Sequence, residues 1–240
     1  MKKITGIICL ACMALMPLTS CGQSSLSIST PLIYSKVTAK NNWSPPTAVN
    51  RQNQFDGTAI GSGVNLGYSF QPKLIIKDKH FFVNIGAGYF KQRFNLQRPF
   101  DYNTPLYPVY FTDYYVYQCW LWSAGITYNL LLNNKYLLSG DLLYNQLFSF
   151  QQEYTPYTSA NRPTQVNNHN IDFAKTITLS LGVQRKLGKQ FTLGLDLLLP
   201  YTRWRNDRIF KDDPATFSHP NFSLGTSVSI AYHLKKKNQS

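Results

Sequence analysis

Asn221–Leu234 reads NFSLGTSVSIAYHL, and the order of side chains in it decides the fold. Phe222, Leu224, Val228, Ile230, Tyr232 and Leu234 hold alternate positions, with Thr226 the one polar residue in that series. Between them stand Ser223, Gly225, Ser227, Ser229, Ala231 and His233. A period of two is the signature of a strand, here with one large apolar face and one small polar face. A soluble β-protein turns the apolar face into a core. A membrane barrel turns it outward to lipid and lines its lumen with the polar face.

The same alternation recurs upstream. It predicts eight strands: Leu26–Val37, Thr58–Phe70, His80–Phe94, Asp113–Leu131, Tyr136–Gln151, Asn170–Leu187, Gln190–Trp204 and the stretch quoted above. The first is interrupted by Pro31, which reads as a strand end or a bulge. The expected outward residues include Leu26, Ile28, Leu32 and Tyr34 on the first strand and Trp120, Trp122, Ile126 and Leu130 on the fourth. On the sixth they are Ile171, Phe173, Ile177, Leu179, Leu181 and Val183; on the seventh, Phe191 to Tyr201 at odd positions. Long connections are expected at Asn41–Gly57, Gln97–Thr112, Glu153–His169 and Arg205–Pro220. They alternate with short turns at Pro72–Lys79, Asn133–Asn134 and Gly188–Lys189. Long and short connections in alternation are the pattern of a barrel with long external loops and short periplasmic turns. No later run reaches the roughly 18 apolar residues that a membrane-spanning helix needs.

The N-terminus reads as a secretory signal over residues 1–22: basic Lys2 and Lys3, a short apolar run Ile4–Met16, then Leu18–Thr19–Ser20–Cys21. Two exits are open. Cys21 is a candidate lipidation site in a lipobox-like sequence, or cleavage falls before Gln23. Residues 23–234 form the expected barrel domain and residues 235–240 a basic periplasmic tail. Cys9 and Cys12 leave with the signal, so the body holds Cys119 and no disulfide framework. Charged residues are 15% of the chain, below the roughly 25% usual for soluble domains, and aromatics are also 15%. The net charge of +13 calls for an anionic partner. For an exported chain that partner is an acidic lipid headgroup or lipopolysaccharide, not nucleic acid.

On these strands and connections the chain resembles the small eight-stranded outer-membrane β-barrel proteins of Gram-negative bacteria, over about Ser25–Leu234. The resemblance implies an all-β, antiparallel, up-and-down transmembrane barrel in the outer membrane, monomeric, assembled by the barrel-assembly machinery. Ser223, Gly225, Val228 and Ile230 fit the spacing of the C-terminal signal that this machinery reads, although the chain runs on past Ile230 to Ser240.

Charges collect at the strand ends. Lys91, Arg93, Arg98, Arg203, Arg205, Arg208 and Lys211 fall at the external end. They are candidate contacts for lipopolysaccharide phosphates, or a solvated basic rim that anchors the barrel. Aromatics are expected in two belts: Tyr68, Phe70, Phe81, Tyr128, Tyr136, Phe191 and Tyr232 near the short turns, and Tyr89, Tyr114, Phe148, Phe150, Tyr201 and Trp204 near the long loops.

Inward-facing Asp141, Asp196, Asn145, Gln184 and Lys186 predict a polar network filling the narrow lumen, with a ligand or proton-transfer site as the sharper reading. Gly61, Gly63, Gly67, Gly86 and Gly88 lie inside strands, where they make room rather than cradle phosphate. Ser218, His219, Asp212 and Asp213 share the last expected loop, but a hydrolase needs a hydrogen-bonded triad and an oxyanion hole, which spacing does not show. No zinc-protease, nucleophile-elbow or Walker motif is present, so no catalytic, cofactor or metal residues are assigned. The expected role is structural or in surface interaction through the external loops. The alternatives are a small-solute pore and a lipid-modifying enzyme.

Overall fold

The computed structural model describes residues 23–41, 54–72, 78–99, 110–155, 164–204 and 215–234. They form nine strands: β1 (Ser24–Asn41), β2 (Gln54–Phe70), β3 (Phe81–Pro99), β4 (Tyr110–Leu131), β5 (Tyr136–Thr155), β6 (Gln165–Asn167), β7 (Ile171–Leu187), β8 (Phe191–Trp204) and β9 (Ala215–His233). Eight of them make the wall. Each pairs antiparallel with its neighbours, and β1 pairs with β9 from Ser25↔His233 to Asn41↔Ala215, which closes the cylinder. Closure gives the backbone donors and acceptors of the wall a partner strand, without which no sheet could sit in hydrocarbon. The three-residue β6 pairs only with β5, at Gln152, Glu153 and Tyr154, on the edge that β7 holds as far as Ser149.

The strands are longer at the long-loop end than their alternation predicts. Arg98 and Pro99 belong to β3, Tyr110–Thr112 to β4, Glu153–Thr155 to β5, and Ala215–Pro220 to β9. Ser218 and His219 therefore lie on a strand, not in a loop. Ala39 faces Phe217 while Val37 faces Pro220, so the two residues fall in an irregularity of the β1–β9 ladder. Pro31 neither ends nor shifts β1. Ser29↔Asn65 and Leu32↔Ser62 keep one register across it. Two of the short turns behave as read, and most of the third, Pro72–Lys79, lies outside the described residues. The side chain of Asn133 accepts hydrogen bonds from the backbone N–H groups of Lys135 and Tyr136, and Gly188 takes the positive φ of 74° that its turn requires.

The facing of the side chains settles the environment. Apart from Ile171 and Phe173 at the start of β7, which turn inward, the large apolar residues of the alternating series point outward from the wall. Leu195 is 60% exposed and Leu181 is 56% exposed, and Ile28, Leu66, Trp122, Leu142 and Val228 are exposed to similar degrees. Inside are Ser180, Thr178, Thr192, Ser227 and Thr127, all buried. On β4 the apolar outer series runs from Trp120 to Leu130. About ten residue steps of ~3.3 Å, tilted by ~40°, give a band about 25 Å tall, the height of a bilayer's hydrocarbon zone in barrels. This is a membrane-spanning surface, and a closed β-barrel of this kind places the chain in the outer membrane.

Candidate functional site

The lumen has two halves of opposite character. The half toward the short turns holds a cavity of about 1030 Å³. Ser27, Ser29, Asn65, Ser123, Thr178 and Ser229 are among its lining, and its mouth lies by the turn residues Lys79, His80 and Lys189. The expectation of an interior filled by polar side chains is therefore corrected: this half is an open vestibule. The half toward the long loops is filled, and by rings. Phe94 of β3 meets Trp204 of β8 with centroids 5.2 Å apart, and Phe173 of β7 at 6.2 Å. Tyr117 of β4 stacks on Phe173 at 4.2 Å, and Tyr115 stacks on Tyr154 at 4.8 Å. β3 and β8 are four strands apart in an eight-strand ring, so the Phe94–Trp204 contact crosses the full diameter. Side chains close the lumen at that level.

Two aromatic residues expected on the outer face are thus inside. Phe173 and Trp204 are each 2% exposed. For Phe173 the cause is a β-bulge. Leu147 faces Ala174 and Phe148 faces Asp172, so Phe173 has no partner on β5 and turns inward beside Ala174. For Trp204 the alternation of β8 itself gave the answer, since it shares the even positions with buried Thr202 and Pro200. Glycine makes room lower down: a Cβ on Gly61 would collide with the ring of Phe90, which lies across it.

The five residues named for a lumen network are only partly joined. Asp141 accepts hydrogen bonds from Thr127 and, at 2.6 Å, from Ser180. Thr127 in turn joins Asn84, which joins Ser69, a chain running around the wall from β5 to β2. Asn145 donates to Thr178 at 3.1 Å. Asp196, Gln184 and Lys186 line the vestibule without a side-chain hydrogen bond among the described residues. Asp196 lies against Gly182, where any side chain would displace its carboxylate. No group of three or more His, Cys, Asp or Glu suited to a metal occurs among the described residues.

Of the candidate rim cations, Lys91, Arg93 and Arg203 face outward just beyond the apolar band, at the long-loop end. Arg203 lies directly across from Lys175, which is 3.8 Å from Asp172. Arg98 lies on β3, with its side chain outside the described residues; Arg205, Arg208, Lys211 and Cys21 are outside them altogether, as are Asp212 and Asp213. In the belts, Phe191 and Tyr232 meet at 5.2 Å near the short turns, and Tyr89 and Phe150 at 6.3 Å near the long loops.

Sequence reasoning missed the reversal of polarity beyond the belt. There the inner face becomes apolar, with Phe94, Leu96, Tyr115 and Tyr117, while the outer face carries Lys91, Arg93, Gln118, Gln151 and Glu153. That is soluble-protein polarity. The barrel emerges from the membrane and continues as a small β-structure with its own aromatic core.

No protein-family profile and no curated protein matches the chain. Solved structures do. The outer membrane protein OprG from Pseudomonas aeruginosa superposes with a TM-score of 0.50 at 8% identity, covering 90% of this chain and 98% of that one. The outer membrane protease OmpT from Escherichia coli gives a TM-score of 0.46 at 11% identity, covering 88% and 97%. Neisserial surface protein A gives 0.31 at 10% identity, covering 88% and 97%. At 8% identity the likeness to OprG is one of fold; together with the closed antiparallel ring described above, it shows the eight-stranded outer-membrane β-barrel fold.

Proposed function

We propose that this protein is a non-enzymatic outer-membrane barrel with a structural or surface-interaction role. It presents its external end to partners and holds its place through the lipid and lipopolysaccharide around its rim. The observation that supports this reading is the contact of Phe94 with Trp204 across the lumen, backed by Phe173 and Tyr117. A barrel built to pass solutes needs a continuous aqueous path; this one spends its external half on an aromatic core. Rigid wall strands that project beyond the bilayer suit a scaffold for contacts made by the segments between them. The basic rim of Lys91, Arg93 and Arg203 suits phosphate-bearing headgroups, to which Arg bonds through a fork of parallel donors.

The alternative of a small-solute pore draws on the vestibule of about 1030 Å³. Planar-bilayer recording separates the two. The purified barrel is expected to show no resolved unit conductance. Regular conductance steps from the wild-type protein would replace the scaffold reading with a pore.

A further inference from the structure

We propose that the outer wall of β3 and β4 holds one phosphorylated glycolipid of the outer leaflet, its anionic head on Lys91 and Arg93 and an acyl chain against Trp120 and Trp122. This rests on the reading above that such lipids contact the rim, and it names the place. A depression of about 430 Å³ opens on the outer surface there, lined by Ala87, Gly88, Trp120, Leu121 and Trp122. Its floor is small because the outward residue of β3 at this level is Ala87. Trp120 and Trp122 are both 54% exposed and lie across from Tyr89 and Ala87, so two indoles wall a shallow trough of lipid-facing surface.

Directly above the trough the wall changes chemistry. Tyr89 donates to Gln118 at 3.1 Å, Gln118 donates to Gln151 at 3.1 Å, and Gln151 donates to Glu153 at 3.1 Å. This polar chain marks the level where hydrocarbon ends. Lys91 lies across from Gln118, and Arg93 is two residues farther out on the same face of β3. Neither forms an ion pair among the described residues; the acid on this wall, Glu153, stands two strands away and accepts from Gln151. Two cations on one face, about 7 Å apart along the strand, are matched in charge by a head with more than one anionic group. A single phosphodiester supplies one. A glycolipid with two phosphates supplies both, and its chains descend past Tyr89 into the trough.

The test uses the full-length protein in nanodiscs of phosphatidylcholine, titrated with diphosphorylated lipid A that carries a spin-labelled acyl chain. Quenching of tryptophan fluorescence reports the chain's arrival. The double variant Lys91→Gln/Arg93→Gln is expected to weaken binding about tenfold or more, the loss of one or two charge-assisted hydrogen bonds. Lys175→Gln/Arg203→Gln, on the opposite wall, is expected to change it less than about twofold. Trp122→Leu, which keeps both cations, is expected to weaken it and lower the quenching amplitude. Unlabelled phosphatidylglycerol and dephosphorylated lipid A are expected to compete about tenfold worse than diphosphorylated lipid A. Heat-modifiable gel migration checks that each variant is folded; if the double variant fails, Arg93→Gln alone takes its place. Equal losses in both double variants would overturn the site in favour of a diffuse basic rim. So would an unchanged affinity, equal competition by phosphatidylglycerol, or cross-linking that finds a second copy on this wall. No binding of lipid A by the wild type would remove the rim reading as well.

Discussion

Leu181→Arg is expected to destabilise the folded barrel by about 2–4 kcal/mol, while Ile177→Arg costs only about 0–1 kcal/mol. Both side chains point outward from β7 and are about equally exposed. They differ in depth. Leu181 pairs with Leu197 near the middle of the apolar band, whereas Ile177 stands next above it but one, beside Lys175 and Tyr201 at the rim. An arginine at the middle must draw water or headgroups down to its guanidinium, and one at the rim reaches them directly. Reversible urea unfolding in lipid vesicles measures the difference. A soluble barrel would treat the two positions alike, since a charge on a water-exposed wall changes stability by no more than about 0.5 kcal/mol. The gradient with depth is thus a property of the bilayer, not of the strand.

Trp204→Ala is expected to remove about 3–5 kcal/mol, the usual range for deleting a large buried ring. The indole meets Phe94 edge-on at 5.2 Å and sits in a cluster with Tyr117 and Phe173 that neighbouring strands cannot collapse to fill, because the closed wall fixes its diameter. Tyr201→Ala, three residues away on the outer face of the same strand, is expected to cost less than half as much, since lipid fills the space the ring leaves. The same urea measurement compares them. Equal losses at the two positions would show that the external half of the lumen is not a packed core.

Alternation made the wall legible because it is the one sequence signal that facing in a sheet obeys. On β8 the odd positions from Phe191 to Tyr201 and the even ones from Thr192 to Thr202 separated without exception. The short turns were legible for a similar local reason: Asn133 and Gly188 carry the conformation of their turns in their own chemistry. Phe173 was not legible, because a bulge between β5 and β7 depends on both strands and leaves no mark in either alone. The strand ends near the long loops were missed for another reason. Beyond the belt the outer face turns polar at Lys91, Arg93 and Gln151, and a reader following greasy residues outward stops there. The apolar inner series Phe90, Phe94 and Leu96 on β3 was the available clue, since it continues the strand on the other face. The lumen was read as filled from the strand number and from the inward polar residues such as Asp141 and Asp196. The small side chains that line its lower half, Ser27, Ser29, Ser123 and Ser229, leave it open instead. The candidate rim cations were found by their position in the chain. Which of them share a surface became clear only from the register of β3 on β4 and of β7 on β8.

The most direct test places a nitroxide at two positions in a Cys119→Ala background, in lipid vesicles. One is Leu195→Cys, on the outer face of β8; the other is Ser229→Cys, lining the vestibule on β9. Power-saturation EPR then compares collisions with oxygen, which concentrates in hydrocarbon, and with a water-soluble nickel chelate. The nitroxide at position 195 should meet oxygen and escape nickel, and that at position 229 should meet nickel. Nickel at position 195 together with oxygen at position 229 would mean that the barrel is turned inside out relative to the structure described, and that its apolar residues form a dry core in water.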